Sequence, residues 1–132
     1  MFEYIGIDWG EKICGLAFGD IGTGLIIPAT FETKTRDVVE SVQLEISKRK
    51  SKYIIIGKPM NFHGKNTQVT DKVEMFASIL ESVLPDIRVE LINERGTTKD
   101  SIAKLGKYHK YQLDNQSAAE ILAQYFAKKS TS

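Results

Sequence analysis

Three carboxylates in this chain sit where an acid could do chemistry. Asp8 closes a short apolar run, Ile5-Gly6-Ile7-Asp8-Trp9-Gly10. Burying an acid between Ile7 and Trp9 is costly unless a partner meets it, such as a cation, a metal ion or a bound phosphate group. Glu94 lies in the tripeptide Asn93-Glu94-Arg95 after a second strand-like run, and Asp114 heads the last helical segment. Three carboxylates near one point repel each other unless they share a divalent cation, and hard oxygen ligands suit Mg²⁺ or Mn²⁺. Two such ions about 3.5–4 Å apart would stabilise both the attacking and the leaving oxygens of phosphodiester hydrolysis.

The elements that must position these acids follow from hydrophobic period. Phe2 to Trp9, Cys14 to Phe18 and Leu25 to Phe31 read as three strands, separated by turns at Gly10, Gly19, Gly22 and Gly24. Such short connections favour antiparallel neighbours. Pro28, which has no backbone N–H to give, puts the third strand at an edge or interrupts it. From Thr35 the period becomes helical, with Val38, Val39, Val42 and Ile46 on one side and a basic ending at 47–50. Tyr53-Ile54-Ile55-Ile56, closed by Gly57, reads as a strand buried on both faces. A second helix carries Val69, Val73, Phe76, Ala77, Leu80 and Leu84 and stops at Pro85. Ile87 to Ile92 is the last strand, Thr97 and Asp100 look like a cap for a short helix, and Asp114 opens the closing one. Ala118, Ile121, Leu122, Tyr125 and Phe126 share a face of that helix.

The order is βββαβαβαα, an α/β arrangement with a mixed five-stranded sheet, three antiparallel strands first and parallel strands after. A helix precedes each of the strands near Ile56 and Ile92, so both should run parallel to the first. Asp8, the loop from Gly57 to Gly64 and the Asn93-Glu94-Arg95 tripeptide then meet at the carboxyl ends of parallel strands, where open α/β sheets place ligands.

Each acid also has a plainer reading. Asp8 could pair with Lys12, Glu94 could be solvated or pair with Arg95, and Asp114 before Asn115-Gln116-Ser117 could be a helix N-cap. Arg95 with Thr97 and Thr98 could hold a phosphate, or form a salt bridge plus a cap. The turn Gly57-Lys58-Pro59 with His63-Gly64 could let a nucleic-acid backbone approach closely, though a sharp turn alone would need the same residues. His63 and His109 read as loop histidines, and neither makes a zinc site with a lone cysteine. Lys99, Lys104, Lys107 and Lys110 flank the acids and are the candidates for phosphate contacts. The remaining lysine clusters read as solvated faces.

Composition sets the frame. The chain has 132 residues, 42% apolar and 27% charged, which suits one globular domain with a proper core. A formal net charge of +1 gives no overall field to attract a polyanion, so a nucleic-acid partner needs a local basic patch. One cysteine, Cys14, excludes an internal disulfide and suits a reducing cytoplasm. Met1-Phe2-Glu3-Tyr4 lacks the basic start and long apolar core of a signal peptide, and no apolar run could span a membrane.

Four blocks in order carry a family resemblance over nearly the whole chain: Gly6-Ile7-Asp8-Trp9-Gly10 with Lys12 and Gly15-Leu16-Ala17; Gly57-x-Pro59-x-Asn61-x-x-Gly64; Glu94-Arg95-x-Thr97-Thr98; and Asp114-x-x-x-Ala118-Ala119 before Ile121-Leu122. Together they resemble the YqgF family of RNase H-like proteins, described as pre-16S rRNA nucleases and earlier as Holliday-junction resolvase-like. The resemblance implies an RNase H-like fold and a metal-dependent nuclease site on Asp8, Glu94 and Asp114, with Mg²⁺ or Mn²⁺ as cofactor. It implies substrate contacts at Lys12, Gly57, Pro59, Asn61, Gly64, Arg95, Thr97 and Thr98. The chain departs from the family at Asn93, where an Asp is usual, and at Ile13, Lys58 and His63. None of these removes a proposed metal ligand.

The expected function is therefore trimming of the 5′ end of precursor 16S rRNA by a cytoplasmic nuclease. It would act as a monomer or weak dimer, with ribosomal precursor particles as potential partners and no membrane. Cleavage of branched DNA junctions is a second enzymatic reading of the same site. A nucleic-acid-binding regulatory factor without catalysis is a third. A sugar-kinase or actin-like ATPase comes last: Asp8-Trp9-Gly10 before a hairpin resembles their phosphate loop, but they bind nucleotide between two such domains and 132 residues provide one.

Overall fold

The apolar run that carries Asp8 becomes β1 (Tyr4–Asp8), the middle strand of the sheet. The computed structural model describes residues 2–59, 68–94 and 110–130. After β1 come β2 (Ile13–Asp20), β3 (Leu25–Pro28), a two-residue β4 (Thr33–Lys34) and a single 3₁₀ turn (Thr35–Asp37). Then follow α1 (Val38–Arg49), β5 (Tyr53–Pro59), α2 (Gln68–Val83), β6 (Arg88–Glu94) and α3 (Lys110–Ser130).

The strands lie in the order β3-β2-β1-β5-β6, with β4 paired to β2 off this path. β1, β2 and β3 are antiparallel, whereas β5 runs parallel to β1 and β6 parallel to β5. α1 and α2 supply the two crossovers that parallel pairing requires. The expected mixed sheet is thus present, with β3 and its Pro28 at one edge as the missing N–H demands.

Alternation along the strands builds two cores. One face carries Ile5, Ile7, Leu16, Phe18, Ile54 and Ile56 against Val38 and Val42 of α1 and Val73, Phe76 and Leu80 of α2. The other carries Tyr4, Ala17, Ile55 and Ile92 against Ala118, Ile121, Leu122 and Tyr125 of α3. β5 is buried on both sides, as its unbroken apolar run requires.

The α3 face is paved with small residues. Gly6, Gly15, Gly19 and Gly57 fall on it by strand period, and a Cβ at any of them would crowd α3. At Gly6 it would stand 2.7 Å from Leu122 Cγ and 2.8 Å from the Ala118 carbonyl oxygen. The helix therefore rides close to the strand backbones, and its height over the sheet is set by glycine.

The structure corrects several boundaries. The second strand runs Ile13–Asp20 instead of Cys14 to Phe18, so Gly19, expected as a turn, is a strand residue paired on both sides. The third strand stops at Pro28 instead of Phe31, and a short β4 follows where the sequence gives too few residues for a period to show. The last strand runs on to Glu94, so this acid is a strand residue. α3 begins at Lys110, which puts Asp114 in its second turn, and N-capping by Asp114 is excluded. Lys110-Tyr111-Gln112-Leu113 contains no helix breaker, and the helix simply starts earlier. Val69, placed on the buried stripe of α2, is 37% exposed. The short helix expected at Thr97 to Asp100 lies outside the described residues.

Candidate active site

Asp8 is the last residue of β1 and, after Tyr4 and Gly6, the third to face α3. Its register partner across the antiparallel pair is Gly15. The space a Gly15 side chain would fill is taken by the backbone carbonyl of Asp114. A residue with any side chain at position 15 would push α3 away from β2. Glycine here lets the helix deliver Asp114 to the strand opposite Asp8. Asp114 itself is 3% exposed, on the sheet side of α3.

Glu94 is the last residue of β6 and stands opposite Pro59 in the parallel pair with β5. Two residues after Ile92, it faces the same layer. Its carboxylate lies over β5, with Oε2 3.2 Å from where a Cβ of Gly57 would be. Ile121 of α3 fills the rest of that space. Gly57 therefore opens room for an acid and a helix side chain at once. The three acids share one face and one edge of the sheet. Among the described residues, no three His, Cys, Asp or Glu side chains close into a group that could enclose a single ion.

The turn after Asp8 is held from below. The Thr35 hydroxyl donates to the Gly10 carbonyl at 2.6 Å, and the Thr35 N–H donates to the Lys12 carbonyl at 2.9 Å. The Cys14 sulfur lies 3.4 Å from the same hydroxyl and is fully buried. Burial pushes the Cys14 thiol up, the charges of Asp8 and Asp114 push the same way, and its hydrogen bonding with Thr35 and Gly10 opposes them.

Asn115 holds α3 from above. Its Oδ1 accepts from the Leu16 N–H at 2.9 Å, and its Nδ2 donates to the carbonyls of Ala29 and Phe31, each at 2.9 Å. Neither Thr35 nor Asn115 stood out in the sequence. Their partners are 25 and 84 to 99 residues away, so no local pattern marks them.

Of the substrate-contact candidates, Lys12 is exposed in the β1–β2 turn, while Gly57 is buried and Pro59 ends β5. Asn61, Gly64, Arg95, Thr97 and Thr98 lie outside the described residues, as do His63, Lys99, Lys104 and Lys107. Lys58, one of the family departures, falls on the α1–α2 side of the sheet with Ile56, and its Nζ lies 3.4 Å from Glu74 Oε1 of α2. It is turned away from the acids.

A mixed sheet of this topology, flanked by helices on both faces, is an RNase H-like fold. The fold superposes on T. thermophilus RuvC in complex with Holliday junction substrate with a TM-score of 0.60 at 13% identity, covering 96% of this chain and 95% of that one. It superposes on the fowlpox virus resolvase in its substrate Holliday junction DNA complex with a TM-score of 0.57 at 16% identity, covering 98% and 99%.

The chain belongs to the RuvX family, whose model, described as Holliday junction resolvase, matches residues 2–128. A relative from Maridesulfovibrio salexigens is 33% identical over 134 residues, covering 96% of this chain and 98% of its own. One from Dictyoglomus thermophilum is 31% identical over 137 residues, covering 96% of each. Both bear the name "Putative pre-16S rRNA nuclease". These matches bear out the family resemblance read in the sequence blocks.

Proposed function

We propose that this chain hydrolyses phosphodiester bonds of a structured nucleic acid at the carboxyl edge of β1, β5 and β6, with precursor 16S rRNA as the substrate and its 5′ end as the place of cutting. The observation that carries this reading is the common placement of Asp8, Glu94 and Asp114 on the α3 face of one sheet edge, with Gly15 and Gly57 cleared for it. The names of the relatives support the RNA substrate.

The donor set consists of carboxylate oxygens, which fits Mg²⁺ or Mn²⁺. An ion held by one or two of Asp8, Glu94 and Asp114 would supply Lewis-acid stabilisation of charge on the phosphoryl oxygens. An array spread along an edge suits Mg²⁺, which commonly takes one or two carboxylates and completes its shell with water and substrate phosphates. The free protein should therefore bind metal weakly and bind it more tightly with nucleic acid present. Lys12 and Arg95, with Thr97 and Thr98, would orient the phosphate backbone. The strand end Gly57 to Pro59 and the loop to Asn61 and Gly64 would let that backbone approach. Lys99, Lys104, Lys107 and Lys110 would neutralise flanking phosphates, each adding about 0.7 to the magnitude of the log–log salt slope on single strands.

Cytoplasmic action as a monomer or weak dimer, on free precursor RNA or on ribosomal precursor particles, belongs to the same proposal. No helix among the described residues is long and apolar enough to cross a membrane. Junction cleavage is the second reading, favoured by the family description and by the resolvase fold. The test is incubation of purified protein with labelled precursor 16S rRNA and with a four-way DNA junction, in Mg²⁺, in Mn²⁺ and in EDTA. We expect RNA cut in either metal and spared in EDTA. Cutting of the junction alone would favour the second reading, and binding of both without cutting would mark a non-catalytic factor.

A further inference from the structure

We propose that Asn115 is a positioning residue that fixes Asp114 opposite Asp8, its carboxamide standing in for a missing piece of β-strand. The catalytic consequence rests on the nuclease reading above; the positioning itself does not.

The gap it fills is visible in the strand pairing. β3 pairs with β2 only from Ala17 to Asp20, and β4 pairs with β2 only at Ile13 and Cys14. Between them, Gly15 and Leu16 have no ladder partner on that side. The Leu16 carbonyl is met by the Ala29 N–H at 2.9 Å, but the Leu16 N–H and the carbonyls of Ala29 and Phe31 need partners from elsewhere. The Asn115 side chain answers all three with one acceptor and two donors, at 2.9 Å each. Asn115 is 1% exposed and its bonds to Leu16 and Ala29 are buried, so water cannot take those two over.

Two successive residues of α3 are thereby locked to two successive residues of β2. The Asp114 carbonyl rests on Gly15, and the Asn115 amide is bonded to Leu16. Gly15 is the register partner of Asp8. Towards the other end of the helix, the Tyr125 hydroxyl is bonded to Glu90 and the rings of Tyr125 and Phe126 pack on Tyr4. Apart from these, the α3 contact with the sheet runs over glycine, alanine and aliphatic side chains, which are non-directional and leave Asp114 free to shift. Hydrogen bonds of fixed direction remove that freedom. Without them Asp114 would drift relative to Asp8, and a misplacement of 1 Å in a catalytic array costs about 100-fold in rate.

The test compares wild type, Asn115→Ala, Asp114→Asn and the control Gln116→Ala, all below their melting temperatures. Amide hydrogen exchange and chemical shifts report the clamp, the Mn²⁺-induced rise in melting temperature reports the acids, and kcat and KM report cleavage. For Asn115→Ala we expect faster exchange at Leu16 and shifted signals at Gly15 and Asp114. The Mn²⁺ rise should shrink towards that of Asp114→Asn, and kcat should fall between about 10- and 100-fold with KM unchanged. If Asn115→Ala does not fold, Asn115→Ser, whose hydroxyl is one bond too short to span all three partners, takes its place with the same expectations in smaller measure. A variant that melts earlier yet keeps the wild-type Mn²⁺ rise, the Asp114 signals and kcat would overturn the proposal and leave Asn115 a structural plug. If wild type neither cuts nor responds to Mn²⁺ while Asn115→Ala still moves the Asp114 signals, the positioning stands and the nuclease reading falls.

Discussion

Asp8 and Gly15 face each other across the β1–β2 pair, and Gly15 carries no side chain where the Asp114 carbonyl rests. One glycine thus decides how near the third acid comes to the first. Gly19, further along the same strand and face, meets only side-chain atoms, with Phe126 Cζ at 3.0 Å and Leu122 Cδ1 at 3.1 Å from a notional Cβ.

The two glycines should therefore respond differently to the same substitution. Gly15→Ala forces a Cβ into helix backbone, which cannot move without lifting α3. We expect a loss of about 3 kcal/mol or more, a fall of about 10 °C in melting temperature. Gly19→Ala asks only that the Phe126 and Leu122 side chains shift, and should cost about 1 kcal/mol. Thermal melts of both proteins check this, and equal losses would show that α3 is not height-limited at Gly15.

Stability should decline on the alkaline side. Burial holds the Cys14 thiol above its ordinary 9.0, and burial likewise raises Tyr4 and Tyr125 above their ordinary 10.0, with Glu90 accepting from the Tyr125 hydroxyl. These groups stay protonated in the folded chain after the unfolded chain has begun to release its protons. Their contribution is complete below pH 9.0 and is lost as pH rises through the folded values. Urea midpoints between pH 7 and pH 10.5 should hold level and then fall. In Cys14→Ala the onset of the fall should move up by about one pH unit, to where the tyrosines take over. An unchanged onset in that variant would contradict the assignment.

Lys58 tests which side of β5 meets substrate. Its partner is Glu74 of α2, on the face opposite the acids, and its side chain is 22% exposed. Lys58→Leu should change stability by no more than about 1 kcal/mol and leave cleavage and RNA affinity at wild-type values. A drop in affinity with a flatter salt dependence would place Lys58 on the nucleic acid instead.

Much of this was legible in the sequence because it lies in local period. The β5 run, the two crossover helices and the carboxyl-edge placement of Asp8 and Glu94 all follow from alternation or helical spacing in short windows. Asp-Asn-Gln-Ser reads as a helix start, whereas Asp114 lies in the second turn of α3. Only the tertiary fit to Gly15 shows that the helix begins earlier and brings Asp114 in on its second turn. In the sequence Gly6 and Gly15 lie inside strand runs and Gly57 closes one, and their shared role under α3 emerges only once three strands lie side by side. Asn115 and Thr35 were illegible for the same reason, since their bonds join segments far apart in the chain.

The most direct measurement is made on Asp8→Asn, with the cleavage rate, RNA binding and melts with and without Mn²⁺ taken from one preparation. The amide keeps the shape of the side chain and loses the charge that a hard cation needs, so no cavity forms. Removing one charge from an acid-rich edge also relieves repulsion in the metal-free protein. We expect cleavage to be lost and RNA binding kept, the metal-free melting temperature to stay level or rise, and the rise on adding Mn²⁺ to shrink. An Asp8→Asn protein that is destabilised without metal, responds to Mn²⁺ like wild type and still cuts precursor RNA would contradict the placement of the active site at Asp8.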